Sequence, residues 1–329
     1  MRQTRTLLAA GALTASLALA ACGGQQDNNQ ADGDTDSCDA GSGRIGIATG
    51  NSTGVYYVVG GGLAKIISDE TELKATAAET GASVQNVQQL VAGDYDLAFS
   101  LADTAADAVS GTGSFTEKQE VSSIGRIYPN YTQVVVRADS GITSIADFKG
   151  KRISTGSPKS GTEVIAQRLI EAAGLSQDDV SAQRLDLTKT VDGMKDGSID
   201  GLVWSGGLPT PAITDLFTSM GDKVTFLDIT PELPALQEIN PVYEEGSIPA
   251  ATYELDADVP TVVVPNVLLA RNDMADNVAC ALTTVVFEDT EALVAVHPAA
   301  KDIRLADATL SDPVPVHPGS QRAIDDLQK

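Results

Sequence analysis

Residues 151–163, with the sequence KRISTGSPKSGTE, predict a short strand that ends in a loop of small residues and opens directly into a helix. Ser160 and Glu163 have the S-x-x-E spacing of a capping box, which predicts Ser160 as the N-cap of that helix. Apolar residues then recur on one helical face until Gly174, which is typical of the glycine that follows a helix C-terminus. The N–H groups behind such a loop can hold a carboxylate or a phosphate, although most joints of this kind only turn the chain.

The same plan occurs earlier in the chain. Residues 44–50 (RIGIATG) predict a second strand that runs into Thr-Gly, and a helical pattern follows from Gly54. Further on, residues 93–99 (GDYDLAF) match residues 197–203 (GSIDGLV) at nearly the same offset. Two copies of one plan predict two similar α/β lobes. Ligands of open α/β sheets bind at the carboxyl ends of the strands, so we expect loops of both lobes to enclose one.

Hydrophobic periodicity extends the α/β pattern through the chain, with Ser83 as the predicted N-cap of one helix. The predicted strands are 44–48, 73–79, 96–100, 132–137, 151–154, 182–187, 200–204, 224–228 and 261–270. The predicted helices are 55–68, 83–92, 160–173, 189–196 and 275–295.

The beginning of the chain is typical of an exported lipoprotein. Arg2 and Arg5 precede an alanine-rich apolar run that ends in LAAC, and Cys22 stands where bacterial lipoproteins carry their lipid. We therefore predict a signal peptide at 1–21, a lipid anchor on Cys22 and a flexible tether at 22–43. The protein is then exported and held on the outer face of the cell membrane. The alternative is an ordinary secretory signal with an incidental cysteine.

The acidic composition excludes several classes of partner. The net charge is −23, and loss of Arg2 and Arg5 with the signal peptide makes it more negative. Nucleic acid and bare anionic membranes are repelled by such a field, so we expect membrane contact through the lipid alone. The charge itself serves solubility and does not fix the sign of a ligand.

The remaining cysteines and the two histidines do not suggest a metal site. Cys38 and Cys280 form an even pair, which favours one disulfide in an oxidising exterior over two free thiols. His297 and His317 both precede proline, which predicts residues at helix boundaries and not ligands or catalysts. No metal or other cofactor is expected.

Enzyme motifs are incomplete in this sequence. The glycines of 156–161 have P-loop spacing, but Thr162 stands where the lysine should be. No convincing nucleophile–histidine arrangement and no G-x-S-x-G turn is present. A glycosidase stays open only because its two carboxylates can come from distant segments. We therefore predict a binding protein and not an enzyme.

Short motifs recur through the chain in a specific order. They are TG at 49–50, G-x-Y at 54–56, TGAS-x-x-N at 80–86, G-x-x-DLA at 93–98, GS-x-x-SGT at 156–162, DG-x-ID at 196–200, G-x-P at 207–209, and the His-Pro turns at 297 and 317. In order and spacing they resemble the TAXI family, the solute receptors of TRAP transporters. The resemblance covers nearly all of the chain from Arg44. It departs from the family after Gly319, where the expected C-terminal helix is altered.

The resemblance implies an α/β, two-lobed type II periplasmic-binding-protein fold with a hinged cleft. The first lobe would be 44–130 plus 258–329, and the second 131–257. Such receptors act as monomers that deliver a small carboxylate or amino-acid solute, usually glutamate or a relative, to a membrane permease. The physics agrees, since N–H groups at 160–163 can receive a carboxylate.

The residues that we predict to contact the solute come from both lobes. They are Thr49, Gly50, Tyr56, Gly81, Ser83, Asn86, Ser100, Ser157, Ser160, Gly161, Thr162, Trp204 and Gly207.

Other functions stay open at this point. The chain could serve an ATP-driven, ABC-type transporter, or it could present a bound ligand to a sensor or another protein. An extracellular enzyme on the same fold is a further alternative, which the lack of acid–base constellations disfavours.

Overall fold

The computed structural model, which describes residues 37–309 and 313–329, contains ten strands that belong to one mixed sheet. In chain order they are β1 (Gly43–Ala48), β2 (Leu73–Ala78), β3 (Leu97–Leu101), β4 (Val121–Arg137), β5 (Arg152–Ser154), β6 (Ser181–Gln183), β7 (Gly201–Gly206), β8 (Val224–Phe226), β9 (Glu244–Ile248) and β10 (Val259–Arg271).

Ten α-helices occur in the same described residues. They are α1 (Val55–Glu70), α2 (Ser83–Ala92), α3 (Ala102–Ser110), α4 (Gly161–Ala172), α5 (Leu187–Asp196), α6 (Pro211–Met220), α7 (Leu233–Ile239), α8 (Asp276–Glu288), α9 (Thr290–Val296) and α10 (Pro318–Leu327).

The sheet repeats one topology in its two halves. From one end the strand order is β2-β1-β3-β10, and from the other it is β6-β5-β7-β4. In each half the first three strands are parallel, and the fourth is antiparallel to its neighbour. The duplicated plan in the sequence therefore corresponds to two halves built in the same way.

Two long strands, β4 and β10, join the halves. They pair with each other, antiparallel, from Tyr131↔Val263 to Val121↔Arg271. Beyond Tyr131, β4 continues along β7 in the second half, whereas β10 pairs with β3 in the first half. Strands β8 and β9 pair with β4 and β10 outside the main order. The lobe boundaries given above stay a prediction.

The innermost strands are buried along their whole length. Every residue of β3 (LAFSL) and of β7 (GLVWSG) is buried. Parallel strands covered by helices on both faces have this continuous apolar pattern. Helix α1 packs closely because Gly60 lies against Thr49, where a Cβ would approach the Thr49 methyl group to 2.5 Å.

The predicted helix ends are confirmed at α4 and wrong at α2. The Ser160 hydroxyl accepts a hydrogen bond from the Glu163 N–H at 3.0 Å, and Gly174 has a φ of +75° after the helix. At α2 the N-cap is Ala82 and not Ser83, which is the first helical residue. The Ser83 hydroxyl instead accepts from the Leu101 N–H at 3.1 Å, so a neighbouring strand uses the group that the sequence assigned to the helix.

Other elements differ from their predicted bounds. The strand predicted at 132–137 begins at Val121, and the strand predicted at 182–187 ends at Gln183. The helix predicted at 275–295 is two helices, because Asp289, with φ −97° and ψ 30°, leaves the helical conformation between them. The missed elements are α3, α6, α7, α10 and β9.

Both histidines lie at helix boundaries, as predicted. The His297 Nδ1 atom accepts from the Ala299 N–H at 3.1 Å, and the His317 Nδ1 atom accepts from the Gly319 N–H at 3.2 Å. Burial lowers the pKa of each imidazole, which favours the neutral ring that such a cap requires.

A disulfide joins Cys38 to Cys280 on α8, with Cα atoms 5.1 Å apart. The predicted signal peptide, the lipid anchor at Cys22 and most of the tether lie outside the described residues. No helix within 37–309 and 313–329 is long and apolar enough to cross a membrane.

Candidate functional site

A narrow cleft lies where loops of both halves meet. It forms at the carboxyl ends of β1, β3 and β7, where ligands of open α/β sheets bind. The residues that line it are Gly50, Asn51, Gly54, Val55, Tyr56, Gly81, Ala82, Ser83, Leu101, Asn130, Ser160, Gly161, Thr162, Trp204, Ser205, Gly206 and Gly207.

Three helices point their N-termini into this cleft. Helix α1 begins at Val55, α2 at Ser83 and α4 at Gly161, and all three residues line the cleft. The first N–H groups of a helix have no acceptor within it, and its N-terminus carries about half a positive elementary charge. The convergence makes the cleft electropositive without any cationic side chain.

Three hydroxyl groups in the cleft accept hydrogen bonds from the backbone. Ser83 accepts from the Leu101 N–H at 3.1 Å, Ser160 from the Glu163 N–H at 3.0 Å, and Thr162 from the Ser205 N–H at 3.2 Å. A hydroxyl that accepts in this way still has its own proton to donate. The backbone thus fixes these three side chains. The Ser83 hydroxyl also hydrogen-bonds to the Tyr56 side chain, so Ser160 and Thr162 are the two of the three whose protons remain for the cleft.

Amide and hydroxyl groups on the central strands form the side of the cleft below α1. The Tyr56 hydroxyl donates to Asn266 Oδ1 at 2.6 Å, and Asn130 Nδ2 donates to the same oxygen at 3.1 Å. The Ser205 hydroxyl donates to Asn130 Oδ1. Burial raises the pKa of the Tyr56 hydroxyl well above its usual value, so it stays protonated. The network holds Tyr56 and Asn130 in fixed orientations.

Trp204 and the glycines beside it form an apolar wall. The indole Nε1–H donates to Thr210 Oγ1 at 3.3 Å, which leaves the ring carbons at the cleft. A Cβ on Gly54 would lie 3.3 Å from the Trp204 ring, and one on Gly206 would lie 2.4 Å from its Nε1 atom. A side chain at position 206 would therefore displace the ring, and one at position 54 would crowd it.

The two sides of the cleft touch each other around its mouth. Asn51 Oδ1 accepts from the Ser157 hydroxyl and from the Leu187 N–H, each at 3.2 Å. The Gln85 N–H donates to the Lys159 carbonyl at 3.0 Å. These hydrogen bonds join loops of the first half to loops of the second, so the structure shows a closed arrangement.

Two residues other than glycine have a positive φ where the two sides of the cleft touch. Ala82 has a φ of +78° and Lys159 has a φ of +62°. Each such residue costs on the order of 1–3 kcal/mol and persists where the surroundings hold it in place. The Lys159 N–H donates to Glu163 Oε2 at 2.7 Å, which fixes its loop against α4. Strain of this kind clusters at functional sites.

Nine of the residues predicted to contact a solute line the cleft. They are Gly50, Tyr56, Gly81, Ser83, Ser160, Gly161, Thr162, Trp204 and Gly207.

The other four, Thr49, Asn86, Ser100 and Ser157, lie behind or beside the lining. The Thr49 hydroxyl donates to the Ala78 carbonyl at 2.5 Å, and the Ser100 hydroxyl donates to the Leu101 carbonyl at 3.0 Å. Their hydrogen bonds stabilise the loops that shape the cleft. Solute contact stays a prediction for all thirteen residues.

Sequence reasoning missed other lining residues. Asn51 directly follows the Thr-Gly pair that marks the end of β1, so its position carried a usable signal. Asn130 lies in the part of β4 that was not predicted as a strand, and Ser205 follows the predicted end of β7. No group of three or more acidic, cysteine or histidine side chains that could hold a metal occurs among the described residues.

The sequence matches the NMT1-like family over residues 47–325. The chain belongs to this family. The NMT1-like protein is also similar to solved structures, among them one from Bordetella bronchiseptica RB50 with a TM-score of 0.60 and 18% identity, which covers 87% of this chain and 98% of that one.

Two further structures extend the comparison. A binding protein component of an ABC phosphonate transporter from Pseudomonas aeruginosa has a TM-score of 0.54 and 11% identity, over 79% of this chain and 80% of that one. PhnD1 from Prochlorococcus marinus (MIT 9301), in complex with methylphosphonate, has a TM-score of 0.54 and 10% identity, over 87% and 96%. The predicted α/β, two-lobed type II periplasmic-binding-protein fold of the NMT1-like protein is thereby confirmed. The finer resemblance to TAXI receptors stays a prediction.

Proposed function

We propose that this protein is an extracytoplasmic receptor that binds a small anionic solute between its two halves. One observation carries the proposal: the N-termini of α1, α2 and α4 converge on one cleft together with the hydroxyls of Ser83, Ser160 and Thr162. Helix N-termini and hydroxyl donors are the groups that hold carboxylates and related anions.

The comparisons support a solute receptor over an enzyme. The similar structures named above include a component of a phosphonate transporter and a protein bound to methylphosphonate. The cleft supplies hydrogen-bond donors, and its lining residues include no carboxylate or imidazole to act as a general acid or base. Binding followed by release is the activity that this chemistry supports.

We propose further that the solute binds through a carboxylate and is delivered to a TRAP-type permease, as the TAXI resemblance implies. Glutamate and related amino acids are the solutes that the resemblance favours. The receptor would be a monomer, exported and held on the outer face of the cell membrane by a lipid on Cys22. Delivery to an ABC-type transporter is the second candidate, which the likeness to the phosphonate-transporter component favours.

Closure of the cleft would convert solute binding into a signal for the permease. A solute that touches both halves binds the closed form more tightly and shifts the population toward it. The hydrogen bonds from Ser157 and Leu187 to Asn51 form only when the halves are as close as they are here.

A thermal-shift screen tests the receptor function. The purified protein would carry Cys22→Ser, which prevents lipidation, and would be unfolded and refolded to remove any bound solute. Small carboxylates, amino acids, sulfonates and phosphonates would then be added. A ligand at about 100 times its Kd should stabilise the fold by about 2.7 kcal/mol. A screen in which no anion raises the melting temperature would contradict the proposal.

A pair of threonine variants tests whether the ligand binds in the cleft. Thr162→Val removes a hydroxyl from the cleft and should reduce the shift given by any hit. Thr214→Val removes a hydroxyl from the exposed part of α6 and should leave the shift unchanged.

Uptake of the labelled hit by cells distinguishes the two candidate transporters, since an ABC-type route depends directly on ATP and a TRAP-type route does not.

A further inference from the structure

The charge character of the cleft lining narrows the proposed function to a solute class. None of the residues that line it is acidic or basic. Its positive field comes from helix ends and its directed contacts come from hydroxyl protons. The inference that follows rests on the proposed receptor function.

The acceptor atoms of the lining amides are already occupied. Asn51 Oδ1 accepts from the Ser157 hydroxyl and from the Leu187 N–H, both at 3.2 Å. Asn130 Oδ1 accepts from the Ser205 hydroxyl. Just behind the lining, Asn266 Oδ1 accepts from Tyr56 at 2.6 Å and from Asn130 at 3.1 Å. The protein therefore uses these side-chain acceptors internally, and the protons of Tyr56, Asn130 and Ser205 with them. The hydroxyls of Ser160 and Thr162, which accept from the backbone, still have their protons to donate to a solute, together with the first N–H groups of the helices.

Two carboxylates next to the lining are paired with arginines. Glu163, the residue after Thr162, accepts from Arg184 through both carboxylate oxygens. Asp103, two residues after Leu101, pairs with Arg168 at 2.8 Å. Neither carboxylate lines the cleft, so neither is placed to balance a cationic group on the solute.

We propose that the solute is an organic anion without an ammonium group. A carboxylate or sulfonate would accept hydrogen bonds from the helix N–H groups and from the hydroxyls. An ammonium group in the same cleft would lie in the field of three helix N-termini without a carboxylate partner, and burial of an unpaired charge is strongly unfavourable. On this inference an amine-free anion fits the cleft better than the zwitterionic amino acids that the TAXI resemblance favours, glutamate included.

Matched pairs of ligands test this inference by calorimetry on the refolded protein. The pairs are glutarate with glutamate, succinate with aspartate, and ethanesulfonate with taurine, which differ by one amino group. The amine-free member of whichever pair binds should bind at least about tenfold more tightly. The carboxylate pairs and the sulfonate pair distinguish the two kinds of anion.

One isosteric variant should reverse this preference. Asn130→Asp places a carboxylate in the lining at nearly constant volume and keeps an acceptor for the Ser205 hydroxyl. It should lower the affinity for the amine-free ligand and raise the affinity for the ammonium-bearing one. Asn277→Asp adds the same charge on α8, outside the lining, and should leave the order of affinities as in the wild type.

The outcomes separate the inference from the function on which it rests. Tighter binding of glutamate than of glutarate by the wild type would overturn the inference and leave the receptor function intact. Failure of every small anion to bind would contradict the receptor function itself, and the inference with it. If Asn130→Asp does not fold, the ligand pairs on the wild type still decide.

Discussion

Asn86 holds the cleft in shape from behind its lining. Its Nδ2 atom donates to the Thr49 carbonyl at 2.7 Å and to the Phe99 carbonyl at 2.8 Å, and its Oδ1 atom accepts from the Thr80 hydroxyl at 2.6 Å. The side chain is fully buried. One residue on α2 thus joins the ends of β1 and β3 to the loop that follows β2.

Replacement of Asn86 by alanine should therefore weaken the fold as a whole. Two buried carbonyls would lose their partner, and we expect the free energy of unfolding to fall by about 3 kcal/mol. Urea denaturation followed by circular dichroism measures this. Asn277→Ala removes one hydrogen bond at a half-buried position and should cost less than about 1 kcal/mol. Equal losses for the two variants would show that Asn86 has no special role.

Gly161 stands at a position of the cleft where a side chain would not fit. A Cβ at this position would lie 2.5 Å from Leu101 Cδ1 and 2.7 Å from the Ser83 hydroxyl oxygen, across the cleft. Gly161→Ala should therefore hold the halves slightly apart and lower the affinity for the solute by about tenfold. Calorimetry measures this change.

Gly61 provides the matched control for that change. It is exposed on α1, and a Cβ there would meet no atom within 4 Å. Gly61→Ala should keep the wild-type affinity and raise helix stability by about 1 kcal/mol. Unchanged affinity in Gly161→Ala would mean that the closed arrangement is not the form that binds.

Sequence reasoning found the residues whose role is local and missed those whose role depends on tertiary pairing. Ser160 was identifiable because a cap depends on a residue three positions away. Asn130 was not, because Pro129 beside it predicts a break in a strand. In the structure Pro129 lies opposite Pro265, next to a register shift, where neither needs an N–H to pair. Only the partner strand reveals that arrangement.

At the scale of elements, a buried ion-pair cluster joins α3 to α4. Arg168 on α4 contacts Asp103 at 2.8 Å and Asp107 at 2.6 Å on α3, and it donates to the Tyr243 hydroxyl at 2.9 Å. Because α3 follows β3 and α4 follows β5, the cluster connects the first half of the sheet to the second. It joins the two halves of the sheet at a second place, apart from the hydrogen bonds of Asn51 at the mouth of the cleft.

Removal of the arginine should be costly, because it leaves buried carboxylates unpaired. We expect Arg168→Met to lower the free energy of unfolding by about 3–5 kcal/mol, measured by urea denaturation. Arg152→Met breaks an exposed pair with Asp200 within the second half and should cost under about 1 kcal/mol. A small loss in Arg168→Met, similar to that of the control, would refute the role of the cluster.

The elements themselves were predicted where one face is strongly periodic. The strands β1, β3 and β7 have short apolar runs and the helices α1, α2 and α4 have apolar faces, and these six elements supply most of the cleft. Helix α3 (ADTAADAVS) was missed because its two aspartates are buried together with its alanines, so its polar residues do not mark an exposed face. It is held in place by the pairing of Asp103 and Asp107 with Arg168, which no local pattern can reveal.

At the scale of the molecule, the disulfide closes almost the whole described chain into one loop. Cys38 and Cys280 are 242 residues apart in sequence. A cross-link of this length removes much of the freedom of the unfolded chain, so its reduction should lower the free energy of unfolding by about 4 kcal/mol. Denaturation with and without a reductant measures the change. Cys38→Ser should make the protein insensitive to the reductant, and an equal response in both proteins would contradict the prediction.

The lack of charged side chains in the cleft has a consequence for proton linkage. No residue of the lining has an acidic, imidazole or amino side chain, and burial keeps the pKa of Tyr56 above its usual value. Capture of an ionised solute should then exchange few protons with the lining at neutral pH. Calorimetry of any ligand found, in buffers of different ionisation enthalpy, measures the number of protons exchanged, which should be close to zero at neutral pH.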